Sequence, residues 1–319
     1  MSAVETDRKK LIIINGPTAV GKTAVSVELA GRIGGEIISA DSMQVYRGMD
    51  IGTAKIRTEE MQGIPHHMID IINPDDEFNV FIFKEMAAKC IDDITARGHI
   101  PIIAGGTGFY IQAVLYDIDF SEYSDEEQEK VRTRLEEELA RCGALYMHEK
   151  LRRIDPESAE SIHPNNTKRL LHALEFYELT GEKISDHNRS EHEKQSPYDF
   201  LYFVLTDDRD AIYDRINRRV DIMIEDGLVD EVRALKEKYD TKLPSMLGIG
   251  YKEIIDYLDG LVSYEEAVDN IKKETRHFAK KQLTWFKREK CVEYIDRRDY
   301  SSNSAVVSQL VKRIEEKYR

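Results

Sequence analysis

Cysteine is scarce: the 319 residues contain three, Cys90, Cys142 and Cys291. An odd number at such wide spacing gives neither a disulfide framework nor a metal knuckle. It fits a reducing compartment, so a cytoplasmic location is expected. Long hydrophobic runs are also missing. The first apolar segment, residues 11–14, stops at Asn15 and follows the polar stretch 1–10, too little for a signal-peptide core or a membrane span. No membrane is therefore expected among the partners. Internal repeats and low-complexity segments are absent.

Hydrophobic residues make up 41% of the chain and charged residues 33%, the balance of a soluble protein with a real core. The length suits one large domain or a domain with a sizeable insertion. A net charge of −14 argues, on average, against a nucleic-acid partner, but the charge is uneven. Residues 122–138 hold eight acids, whereas residues 272–290 hold eight bases against Glu274 and Glu289. A local basic strip can bind phosphates on an acidic protein, although charge alone equally allows a solvated helix face.

Residues 16–23 read Gly16-Pro17-Thr18-Ala19-Val20-Gly21-Lys22-Thr23, a complete GxxxxGK[ST] phosphate loop. It follows an apolar strand at 11–14 and precedes a helical stretch at 24–33, the setting this loop requires. Gly16 and Gly21 let backbone N–H groups wrap an anion, and the helix dipole adds positive potential. Lys22 supplies a point charge, and Thr23 offers its hydroxyl to Mg2+. One further absence narrows the chemistry. No hydrophobic strand ends in the Mg2+-binding Asp followed by a water-activating glutamate, so ATP hydrolysis is disfavoured.

Short strands at 36–39 and 100–104 alternate with helices at 24–33 and 78–97, the rhythm of a parallel sheet with covering helices. Beyond residue 119 the pattern turns helical, at 126–139 and 167–179, and no strand follows until 201–205. Residues 1–119 and 199–319 thus read as an α/β core, and 120–198 as a helical insertion domain. The second part of the core predicts helices at 210–225, 228–239, 264–279 and 282–287, a strand at 292–295 and a helix at 304–318.

Several residues fall at the sheet edge that holds the phosphate loop. Asp41, just past the second strand, can serve as a general base, or equally cap a turn. Gly105-Gly106-Thr107-Gly108 follows the third strand. Its glycines admit a ligand and Thr107 offers a hydrogen bond, with a plain turn equally open. Arg215, Arg218 and Arg219 share one helix face and would gather around an anion, unless Asp214 and Asp221 neutralise them. Adjacent His66 and His67 point apart in an extended segment and suit structural or positioning roles better than a metal. Trp285 and Phe286 could stack bases, but helix packing is the stronger default.

Nine segments together resemble the tRNA isopentenylpyrophosphate transferase (IPP transferase) family, the tRNA dimethylallyltransferases. They are GPTAVGKT (16–23), DSMQVY (41–46), GMDIGTAK (48–55), HHMID (66–70), GGTGFYIQA (105–113), HPNNTKRLLHALE (163–175), DRINRRVDIM (214–223), GIGYKE (248–253) and TRHFAKKQLTWFK (275–287). The phosphate loop alone is shared with many kinases; the other eight blocks are not.

The resemblance implies a phosphate-loop NTPase-like fold and a prenyl transfer. A dimethylallyl group passes from dimethylallyl diphosphate to N6 of adenosine 37 in tRNA, giving N6-(dimethylallyl)adenosine and diphosphate, with Mg2+ assisting. It assigns Asp41 as general base, Thr107 to steady the base or the diphosphate, and Arg219, with Arg215, to neutralise the leaving group held by residues 16–23. The residues matched to tRNA contacts begin with Asp41, Ser42, Met43, Gln44, Thr107 and Arg132. They continue through the insertion at Lys168, Arg169, Leu170, Leu171 and His172. A third set is Leu247, Gly248, Ile249, Gly250, Tyr251 and Lys252, of which Leu247 departs from the basic residue some relatives carry. The last runs along the basic strip at Lys280, Lys281, Gln282, Leu283, Thr284, Trp285, Phe286 and Lys287. The insertion would clasp the anticodon stem-loop. Nothing in the sequence calls for more than a monomer. A small-molecule kinase remains the rival from another class; it predicts ATP turnover and leaves the strip and the insertion unexplained.

Overall fold

The structure, a computed structural model, describes residues 8–118 and 125–318. The chain divides into two compact units, Met1–Leu115 with Pro197–Arg319, and Tyr116–Ser196. The boundary expected near residue 119 lies outside the described residues.

The first unit is built on six parallel strands. These are β1 (Lys9–Asn15), β2 (Gly35–Ala40), β3 (His66–His67), β4 (Ile100–Gly105), β5 (Tyr198–Thr206) and β6 (Val292–Asp296), in the order β3-β2-β4-β1-β5-β6. Leu11, Ile12, Ile13 and Ile14 are wholly buried, as a central strand covered on both faces demands. β5 begins three residues earlier than its apolar run suggests, because Tyr198, Asp199 and Phe200 pair with Lys9, Lys10 and Leu11. Helices α1 (Lys22–Ile33), α2 (Val80–Ala96) and α3 (Gly108–Leu115) follow β1, β3 and β4.

The second unit holds α4 (Asp125–Cys142), α5 (Ala144–Ile154), α6 (Pro156–Ser161), α7 (Thr167–Thr180) and α8 (Ile184–Glu193). Leu135, Met147, Leu151, Leu170, Leu171 and Leu174 form its core. α7 lays two successive leucines into that core. Asp155 caps α6 and also receives the backbone N–H of Ser185, tying α6 to α8.

The chain then returns to the first unit through α9 (Arg209–Glu225), α10 (Leu228–Lys238), α11 (Tyr251–Leu258), α12 (Tyr264–Phe286) and α13 (Asn303–Tyr318). The two helices expected at 264–279 and 282–287 are one. No glycine or proline interrupts the segment, and Ala267, Ile271, Ala279, Gln282 and Phe286 continue a single buried stripe. A capping box between Ser263 and Glu266 starts it. No helix among the described residues is long and apolar enough to cross a membrane.

Candidate active site

Because every strand is parallel, the loops after β1, β2, β4 and β5 open on one edge. The phosphate loop lies between β1 and α1, with Gly21 at φ 93° in the left-handed region; a Cβ there would also come within 2.4 Å of the Arg297 guanidinium. Cationic side chains hold four of the loop's carbonyls. Lys22 Nζ donates to the carbonyls of Gly16 and Pro17, both at 2.9 Å, Arg215 Nε donates to that of Ala19 at 2.8 Å, and Arg297 Nη1 to that of Val20. Asn15 fixes the start, accepting the Gly16 N–H at 2.7 Å while its amide donates to Tyr202.

α9 supplies the facing wall. It buries Ile212, Ile216 and Val220, which leaves Arg215, Arg218, Arg219 and Ile222 on the other side, where they line a cavity of about 410 Å³ with Ala19, Gly21, Lys22 and Thr23. That lining carries four cations and no carboxylate. Asp221 is engaged elsewhere, with Lys272 at 2.5 Å. Arg215 is partly committed to Asp207, which follows β5, at 2.8 Å. Arg219 has no carboxylate partner among the described residues: its Nη2 donates to the Thr53 carbonyl at 3.4 Å, and its buried Nε has no partner among them. Burial pushes the Arg219 guanidinium below its ordinary value, against the pull of Asp41. Burial, then the neighbouring Arg219, also lowers Lys22 to about 8, opposed by Asp41. An anion in the cavity would relieve both penalties.

Asp41 enters from β2. Its Oδ1 accepts the Met43 N–H at 2.9 Å, the turn-capping role its sequence allows, and Oδ2 has no donor among the described residues. Thr107 is held beside it, since its N–H donates to the carbonyl of Ala40 at 3.3 Å. Asp41, Thr107, Lys22 and Arg219 therefore belong to one edge. An aromatic wall adjoins them: Phe83 and Tyr110 lie 4.8 Å apart, Phe78 and Tyr110 6.1 Å, and Tyr46 and Phe78 6.4 Å. Burial, then Tyr46 and Asp41, pushes the Tyr110 phenol up to about 12.

The residues matched to RNA contacts separate into two groups. Ser42, Met43, Leu247, Gly248, Ile249 and Lys252 are at least partly exposed. So are Lys168, Arg169 and His172 on α7, and Lys280, Lys281, Leu283, Thr284 and Lys287 on or just past α12. Lys280, Lys281, Thr284 and Trp285 line a second cavity of about 380 Å³ with His277 and Arg288. Six others are buried. Leu170 and Leu171 are core, as is Phe286. Tyr251 is enclosed and donates its hydroxyl to Glu231 at 2.7 Å; Gln282 is 6% exposed with both amide atoms used inside the protein. Gly250 is likewise buried, as the N-terminal cap of α11. Arg132 is partly spent on Glu136 and the buried Glu175, and Gln44 accepts from Ser39 while donating to the Thr53 carbonyl. His67 is structural, 2.7 Å from Glu36, and His66 contacts the Ile64 carbonyl at 2.8 Å.

Three residues hold the framework in ways the sequence does not signal. Glu231 accepts the N–H groups of Asp50, Ile51 and Gly52 at 2.8–3.1 Å, which fixes the loop ending in Thr53. Arg297 and Gln282 reach the phosphate loop from across the chain.

A parallel sheet, a glycine loop under a ring of cations and a carboxylate at the same edge define an α/β enzyme of the phosphate-loop class. Residues 44–289 match the model of the IPP transferase family, and the chain belongs to that family. It is 54% identical over 308 residues to a tRNA dimethylallyltransferase of Lachnoclostridium phytofermentans, covering 96% of this chain and 98% of the relative. Among solved structures, it resembles a tRNA delta(2)-isopentenylpyrophosphate transferase of Staphylococcus epidermidis. The identity is 45% and the TM-score 0.72, over 97% of this chain and 100% of the other. A eukaryotic dimethylallyltransferase acting on tRNA aligns with a TM-score of 0.79 and 29% identity, over 97% of this chain and 79% of its own.

Proposed function

We propose that this enzyme transfers a dimethylallyl group from dimethylallyl diphosphate to N6 of adenosine 37 in tRNA, releasing diphosphate. The observation that carries the reading is the lone buried Arg219 beside Lys22, facing a carboxylate with an uncommitted oxygen. N6 attacks C1 of the prenyl group while the C1–O bond breaks and its electron pair leaves with the diphosphate. The phosphate-loop N–H groups, Lys22 and Arg219 stabilise the growing negative charge, and being fixed beforehand they need no reorganisation as it develops. The N6 proton passes to Asp41. Thr107, next to Asp41, orients the base, and the Tyr46–Phe78–Tyr110 wall offers apolar surface that keeps water from the allylic carbon.

Mg2+ suits this site. The Thr23 hydroxyl lines the cavity, and no cluster of three acidic or His/Cys side chains competes for a metal among the described residues. Mg2+ usually leans on substrate phosphates with few protein ligands, so Thr23 and the donor's own oxygens would hold it. Bound there, the ion would add charge neutralisation to the leaving group.

For the acceptor, the exposed bases of α12 and of α7 provide phosphate contacts, and adenosine 37 must leave its stack to reach Asp41. An unmodified anticodon stem-loop incubated with Mg2+ and dimethylallyl diphosphate should gain one prenyl unit by mass spectrometry. Transfer of label from γ-labelled ATP to any acceptor, without prenyl consumption, would instead support a kinase.

A further inference from the structure

We infer that Gln282 is a positioning residue that sets the phosphate loop against the loop carrying Thr107; its effect on catalysis rests on the prenyl-transfer reading. Its buried carboxamide spans two loops far apart in sequence. Oε1 accepts the Thr18 N–H at 2.9 Å, and Nε2 donates to the Gly106 carbonyl at 3.0 Å. A primary amide carries one acceptor and one donor group side by side, and here each meets the partner it suits. Gly106 is matched in turn. A Cβ there would lie 2.3 Å from Nε2, whereas the next nearest atom is the Gln282 Cδ at 3.6 Å. One helical turn further on, Trp285 covers Gly108 in the same manner, with Nε1 2.3 Å from where a Cβ would stand.

The strut matters because the two loops bear opposite halves of the reaction. Thr18 belongs to the cradle for the leaving group. Gly106 continues into Thr107, whose N–H holds the Ala40 carbonyl and so the approach to Asp41. Nucleophile, C1 and leaving oxygen must line up, and a misplacement of about 1 Å in such an arrangement costs about 100-fold in rate. Gln282 thus acts through the loops, from the buried side of α12, while Lys280, Lys281 and Thr284 occupy its outer side.

The test is a cycle of Gln282→Ala, Gly106→Ala and the double variant, with Gln282→Met as a volume-conserving control. Three quantities are read: the single-turnover rate at saturating substrates, the Kd of the stem-loop, and the Kd of inorganic diphosphate. Gln282→Met should lower the saturated rate by about 10–100-fold and leave stem-loop affinity within about twofold. Gly106→Ala should impair the wild type comparably, yet add less than about twofold once Gln282 is Ala, because the clash has gone. Stem-loop affinity falling about tenfold at an unchanged saturated rate would make Gln282 an RNA contact and overturn the inference. Fully additive effects of Gly106→Ala and Gln282→Ala would overturn it as well. If Gln282→Met does not fold, the alanine cycle decides alone. If the wild type transfers no prenyl group, the functional reading fails, while the diphosphate Kd cycle still tests the strut through the same non-additivity.

Discussion

β2 carries a carboxylate near each end, and the two have opposite fates. Glu36, at its start, is saturated: Arg97 and His67 reach it at 2.7 Å and His99 at 2.8 Å, and its side chain is 3% exposed. Asp41, just past its end, receives one backbone N–H and lies near enough to Lys22 and Arg219 to act on both electrostatically. The cations repeat the contrast. Arg97 is matched by Glu36, whereas Arg219 keeps a buried Nε without a partner among the described residues. A charge that finds all its partners inside the fold holds structure together. One left short of partners beside a cavity is reserved for a ligand.

Exchanging the two roles should fail in different ways. Asp41→Ala should lower prenyl transfer by about two to four orders of magnitude, the range for general acid–base groups, with diphosphate affinity nearly intact. A wild-type rate in that variant would remove Asp41 from the chemistry. Glu36→Gln should do the reverse, destabilising the fold by about 2 kcal/mol because the buried carboxylate loses its charge-assisted hydrogen bonds from the partly exposed Arg97, His67 and His99, while the folded fraction transfers prenyl groups normally. Denaturant unfolding gives the first quantity and an assay well below the melting point the second.

Acid sharpens this further. Hydrogen bonding from Arg97, against the opposing effect of burial, lowers Glu36 from 4.5 to about 2. A depressed carboxylate contributes stability in full above its unfolded value and loses it as the pH falls through the folded one. The stability gap between wild type and Glu36→Gln should therefore be constant above about pH 4.5 and close between there and pH 2. A gap that persisted at pH 2 would show that the carboxylate's charge is not what Arg97 and the two histidines hold.

The gentlest probe leaves the sequence alone. Lys22 begins to lose its proton near pH 8, and a bound anion requires that proton. Above pH 8, then, inorganic diphosphate affinity should fall by up to about tenfold per pH unit, since binding must take the proton up from solvent. Calorimetry in buffers of different ionisation heat would count the proton; no uptake at pH 9 would contradict the lowered Lys22.

What could be read in the sequence was whatever is contiguous or tied to a strand end. The phosphate loop is a run of eight residues, and Asp41 and Thr107 directly follow β2 and β4, whose parallel direction brings their ends together. Long-range ties were silent. Gln282 lies 264 residues from Thr18, and Glu231 about 180 from the N–H groups it receives. A glutamine inside a basic helix looks like one more surface polar group until its partners are in place. The positions matched to RNA contacts are a mixture for a related reason. A matched block such as HPNNTKRLLHALE mixes outward charges with the inward leucines that hold α7, and its similarity does not separate them. The paired histidines were legible: alternation along a two-residue strand sends His67 to Glu36 and His66 to the Ile64 carbonyl, the divergence expected of an extended segment.

Arg297, which grips the carbonyl of Val20, follows that residue by 277 positions, and the helix after it packs along α1. A ribosome translating this message makes the glycine loop 277 residues before the clamp that grips it. A nascent chain stalled before Arg297 therefore displays the signature motif without the side chain that grips its Val20 carbonyl.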